Sequence, residues 1–171
     1  MKNKFTLLLS LIMLGSYLSA TAQCPTNIDF ETGTYATWVY YRGSVAAGPT
    51  YSLTSTAPVP GMHTLTSGPG TDYYGGFPVV APGGGAYSFM LGHDTIGSPA
   101  YKARYYVHVP TGGGIYSLIY HYAVVLENPG HAASQQPRMV VSAVDSATGS
   151  AIPCALYTYV ADGSVPGFLP S

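Results

Sequence analysis

Charge is what this sequence has least of. Only 8% of its 171 residues are charged, six basic against seven acidic. A basic surface wide enough to hold a nucleic acid or an anionic bilayer by charge alone is therefore excluded. The same scarcity excludes a coiled coil and a solvated disordered tail, both of which depend on charge. Two cysteines are too few for a disulfide-dense scaffold. No segment approaches the ~18 uninterrupted apolar residues of a membrane-spanning helix, and from Gln23 onward helical periodicity of useful length is missing.

What the chain does have is 16 Tyr, 21 Gly and 14 Pro. Aromatic residues favour strands, while Gly and Pro punctuate them with turns, so the composition describes an all-β domain of short strands. The length allows one domain and a two-layer core. Gly83-Gly84-Gly85 and Gly112-Gly113-Gly114 read as turns, since neither opens the helix that a phosphate-cradling loop requires.

Residues 1–22 read as a signal peptide. Lys2 and Lys4 precede an apolar run from Phe5 to Leu14, and Ala20-Thr21-Ala22 supplies a small-x-small cleavage site. The run is too short to cross ~30 Å of hydrocarbon. Export to the extracellular space or cell surface is the expectation, and the domain is expected over residues 23–171. Gln23 and Thr21 do not suit a lipid anchor at Cys24. In an oxidising compartment Cys24 and Cys154 can close a disulfide, or each can stand unpaired or pair outside this chain.

Alternation and aromatic content place strands at Thr26–Glu31, Thr37–Arg42, Tyr87–Gly92, Ala100–Val109, Gly114–Leu126, Pro137–Asp145 and Leu156–Ala161. Seven short strands at that spacing predict a β-sandwich. The Gly- and Pro-rich stretch from Val45 to Gly85 is expected to hold one edge strand or none. Asp162 to Ser171 reads as a loop without a following strand, which predicts that the last strands of the sandwich lie outside this chain.

The segment Asn27-Ile28-Asp29-Phe30-Glu31-Thr32-Gly33, followed by Trp38, resembles the first strand of jelly-roll modules in carbohydrate-binding and MAM-type adhesion domains. Pro82 to Ser88, Leu91-Gly92, Tyr116 to His131, Gln135 to Arg138, Ile152-Pro153-Cys154 and Pro166-Gly167-Phe168 extend the likeness. Together they resemble the amino-terminal domain of large, adhesin-like surface proteins of gliding bacteria. Those proteins carry polycystic-kidney-disease-type (PKD) repeats and a type IX sorting domain. The resemblance implies a jelly-roll-like sandwich of antiparallel strands that continues into further domains. It also implies that Glu31, with Asp29 beside it, contributes to a structural Ca²⁺ site. Calcium takes about 6–8 oxygens, more than these two carboxylates supply.

If residues 26–31 form a strand, Phe30 enters the core beside Trp38 and leaves Asp29 and Glu31 on the other face. Each adjacent tyrosine pair, Tyr40 with Tyr41 and Tyr105 with Tyr106, then divides between inside and outside, which offers rings for sugar stacking or protein contact. Glu127, His131 and Arg138 bracket a polar loop that suits either ligand binding or pinning of its own backbone. His121, inside an apolar run, predicts a hydrogen-bonded structural histidine. His93 and Asp94 are sequence neighbours and point apart on a strand, so they make no dyad. Ser88 and Ser117 lack a nucleophile elbow. The expectation is a non-catalytic extracellular binding or adhesion module, with a glycan or surface protein as partner. A structural spacer is the alternative and an accessory domain of a secreted hydrolase the third reading.

Overall fold

The computed structural model describes residues 24–46, 50–94, 96–110 and 116–162. The expected signal peptide at residues 1–22, the expected turn at Gly112–Gly114 and most of the expected closing loop from Asp162 to Ser171 lie outside the described residues. The described chain is all-β, with antiparallel sheets and no closed barrel. Its strands are β1 (Trp38–Ala46), β2 (Thr50–Thr56), β3 (His63–Ser67), β4 (Tyr87–Leu91), β5 (Pro99–Tyr105), β6 (Arg138–Val141) and β7 (Tyr157–Val160). Among the described residues, no helix is long and apolar enough to cross a membrane.

β1 and β2 form a hairpin, the chain then builds the β3–β4 pair, and β5 returns to the free edge of β1. That return gives a three-stranded sheet in the order β2-β1-β5, with Tyr40 opposite Ala103 and Tyr41 opposite Lys102. β3 and β4 pair separately, Leu65 opposite Phe89, and β6 pairs with β7.

An aromatic core joins the first two sheets. Strand alternation turns Trp38 and Tyr40 of β1 to one face, where Phe89 of β4 and His63 of β3 meet them. Phe30 lies between Trp38 and Phe89, with ring centroids 4.6 and 4.7 Å away and nearly parallel planes. Offset stacking of this kind adds to the hydrophobic gain of burial. Burial pushes the Tyr40 phenol up to about 12, with Tyr35 adding to the effect.

Phe30 reaches the core, but not from a strand. Residues 26–31, expected to be extended, form successive turns, and Asn27, Phe30 and Thr37 have φ of 56, 63 and 71°. The cause is Asn27. Its buried side-chain amide donates to the carbonyls of Thr34 and Ala36 at 3.0 and 2.9 Å, and its Oδ1 accepts from the Thr32 amide and hydroxyl at 3.2 and 2.6 Å. One side chain thus satisfies backbone groups that a ladder would otherwise take, the local competition for which Asn is suited. The Asn27 carbonyl accepts from the Trp38 indole at 3.0 Å. The Tyr35 hydroxyl donates to the His63 carbonyl at 2.9 Å and accepts from the Leu65 amide at 3.2 Å, occupying backbone of β3.

Two further expectations change. The stretch from Val45 to Gly85 holds both β2 and β3. Their sequences, TYSLTST and HTLTS, are strands by Thr and Tyr preference and carry one aliphatic side chain each, so a search for apolar alternation passes over them. Residues 116–126, the most apolar run, form no strand. Leu118 and Ile119 are exposed there, and so is His121, which the sequence placed inside an apolar strand. Apolar content alone does not make a strand; its amides and carbonyls also need a ladder partner.

Candidate ligand-binding face

The alternation that sends Tyr40 inward sends Tyr41 to the outer face of the three-stranded sheet, directly across from Lys102. Lys102 and Arg104, two residues apart on β5, share that face, and Tyr106 follows just past the strand. The Lys102 ammonium lies 5.4 Å from the Tyr41 ring centroid, and the Arg104 guanidinium lies 5.5 Å from Tyr41 and 5.8 Å from Tyr106. These distances are within cation–π range. Arg104 also donates to the Tyr106 hydroxyl at 3.2 Å.

The electrostatics follow from this interleaving. The hydrogen bond from Arg104 lowers the Tyr106 phenol below its ordinary value, and the same bond raises Arg104. Lys102 is lowered by burial first and by the Arg104 charge second. The result is a cationic, aromatic surface on a chain whose formal net charge is −1. Past residue 22, all four basic residues (Arg42, Lys102, Arg104, Arg138) lie on strands, whereas all seven acids lie outside them. Arg42 points to the opposite side of β1 from Tyr41 and borders a shallow depression with Thr54, Ser55 and Thr56.

The other expected site residues have different settings. Tyr40 is buried in the core. Tyr105 faces inward, packing edge-on to Trp38 and donating to the Thr26 carbonyl at 2.7 Å. Arg138 donates to the carbonyls of Ala133 and Gln136 at 2.8 and 3.4 Å, and buried Gln136 donates to Asn128 Oδ1 and the His131 carbonyl, both at 2.8 Å. This loop is pinned by its own polar residues. Glu127 and His131 are exposed. Cys24 and Cys154 are both free and exposed.

The Glu31 carboxylate accepts from the amides of Ala86 and Tyr87 at 2.7 and 3.1 Å, clamping the first loop to the start of β4. Asp29 accepts from the Glu31 amide at 3.2 Å. Both carboxylates thus have backbone N–H partners, and no group of three or more His, Cys, Asp or Glu able to hold a metal comes together among the described residues. His93 meets the Tyr101 hydroxyl, and Asp94 accepts from the Tyr74 hydroxyl at 3.3 Å.

Lys102 and Arg104 were not candidates by sequence. The signal was present: Lys102, Arg104 and Tyr106 recur with period two in a segment read as a strand, which places them on one face. Comparison with protein families, curated proteins and solved structures gives no match.

Proposed function

We propose that this chain is a non-catalytic, exported binding and adhesion module of a larger surface protein, and that the outer face of the β2-β1-β5 sheet holds a glycan. The observation that carries the reading is the set Tyr41, Lys102, Arg104 and Tyr106. Tyrosine rings offer rigid apolar faces at little entropic cost, which suits stacking against a sugar ring. Cations beside them supply donors for sugar oxygens. The placement of Tyr41, Lys102 and Arg104 on paired strands holds them more firmly than a loop would. The signal-peptide pattern at residues 1–22 supports export.

The test is a glycan array probed with the full chain and with a Tyr41→Ala/Tyr106→Ala double variant. Binding by the parent and its loss in the variant support the reading. A parent that binds no glycan contradicts it and favours the structural-spacer role.

A further inference from the structure

The outer sheet face also carries information about which sugars it takes. We infer that its ligand is an anionic polysaccharide, bearing carboxylate or sulfate groups, recognised jointly by Lys102 and Arg104; this rests on the glycan-binding reading above.

The argument begins with what surrounds the two cations. Both cations lie against aromatic rings, and Arg104 also meets the Tyr106 hydroxyl. None of the seven acids lies on any of the sheet's strands. A neutral sugar needs no such pair of charges, and two cations held close without an acid between them repel each other. That repulsion shows in Lys102, which Arg104 holds lower than burial alone would. A bound anion would relieve it.

Geometry restricts the anion further. Arg104 is held between Tyr41 and Tyr106, and the hydrogen bond to Tyr106 uses only one of the five N–H groups of its planar fork. The remaining donors suit the paired oxygens of a carboxylate or sulfate. Lys102, on the same face two residues earlier, supplies a point charge for a second group along a repeating polymer. The two rings beside them give the apolar contact that a bare inorganic anion does not use. Sugar ring plus regularly spaced charge is the chemistry of a uronate or sulfated polysaccharide.

The experiment is affinity electrophoresis of the full chain through gels containing polygalacturonate, heparin or dextran, with double-stranded DNA as a fourth polymer. Polygalacturonate, heparin or both should retard the chain about tenfold more strongly than dextran or DNA. That preference should fall about tenfold in Lys102→Gln and Arg104→Gln, since a charge-assisted hydrogen bond is lost in each. Lys102→Arg should keep the retardation, and added salt should weaken it. Melting curves matching the parent's show that the variants are folded; if one Gln variant fails to fold, the other decides. Retardation by dextran equal to that by the acidic polymers overturns the inference while leaving glycan binding intact. Equal retardation by DNA overturns it in favour of a general attraction for polyanions. No retardation in any sugar gel overturns both readings.

Discussion

Replacing Phe30 by Ala removes the ring at the centre of the aromatic core. Phe30 is only 7% exposed and stacks on Trp38 at 4.6 Å and on Phe89 at 4.7 Å. The lost burial is about 1.5–3 kcal/mol, and each of the two stacks adds about 0.5–1.5 kcal/mol. The sum agrees with the ~3–5 kcal/mol typical of Phe→Ala in a core. Domain stabilities are about 5–15 kcal/mol, so the melting temperature should fall on the order of 10 °C. Thermal unfolding followed by near-ultraviolet circular dichroism measures this. Tyr73→Ala, which trims a 91% exposed ring, is the control and should change stability by less than about 0.5 kcal/mol. A second comparison isolates the backbone. Because Phe30 has φ of 63°, Phe30→Gly relieves left-handed strain that Ala retains, so Gly should be the more stable of the two by roughly 1 kcal/mol. An unchanged melting temperature in Phe30→Ala would refute the core assignment, and Gly less stable than Ala would refute the turn conformation.

Other consequences follow from the same contacts. His63 is fully buried, its Nδ1 accepts the Val59 amide at 3.1 Å, and burial lowers its pKa below 6.5. Below pH ~6.5 the unfolded chain binds a proton that the folded one refuses. Stability is therefore complete above that pH and falls toward acid by up to about 1.4 kcal/mol per pH unit until the folded pKa is reached. Denaturant titrations at pH 7.5 and pH 5.5 should show this loss, and His63→Leu should remove it. Gly85 has no room for a side chain: a Cβ there would lie 1.9 Å from the Glu31 carboxyl carbon. Gly85→Ala should cost about 1–3 kcal/mol by displacing the clamp, and combining it with Glu31→Ala should cost less than the sum of the two in a double-mutant cycle. Asn27→Ala leaves several loop groups without partners and should destabilise by at least about 2 kcal/mol in the same assay.

The all-β class was legible because Tyr-rich runs between Gly and Pro admit little else, and Tyr87–Leu91 and Trp38–Ala46 fall close to their expected positions. The inward role of Phe30 was right for an inadequate reason. Alternation suggested it, whereas the Asn27 network delivers it through a turn, and hydrogen bonds spanning seven to nine residues leave no periodic trace. The opposite failure occurred at residues 116–126, where strong apolar patterning meets no ladder partner among the described residues. At the candidate face, the division of Tyr40 from Tyr41 was readable from period two. Juxtaposing Tyr41 with Lys102 was not, since it depends on β5 crossing back to β1, sixty-one residues later in register.

The location of binding decides the account. The full chain, labelled with ¹⁵N and titrated with polygalacturonate oligomers, should show its largest amide shifts at Tyr41, Lys102, Arg104 and Tyr106 on the outer sheet face. Shifts centred instead on His131 and Arg138, or on the exposed run from Tyr116 to Leu126, would contradict it.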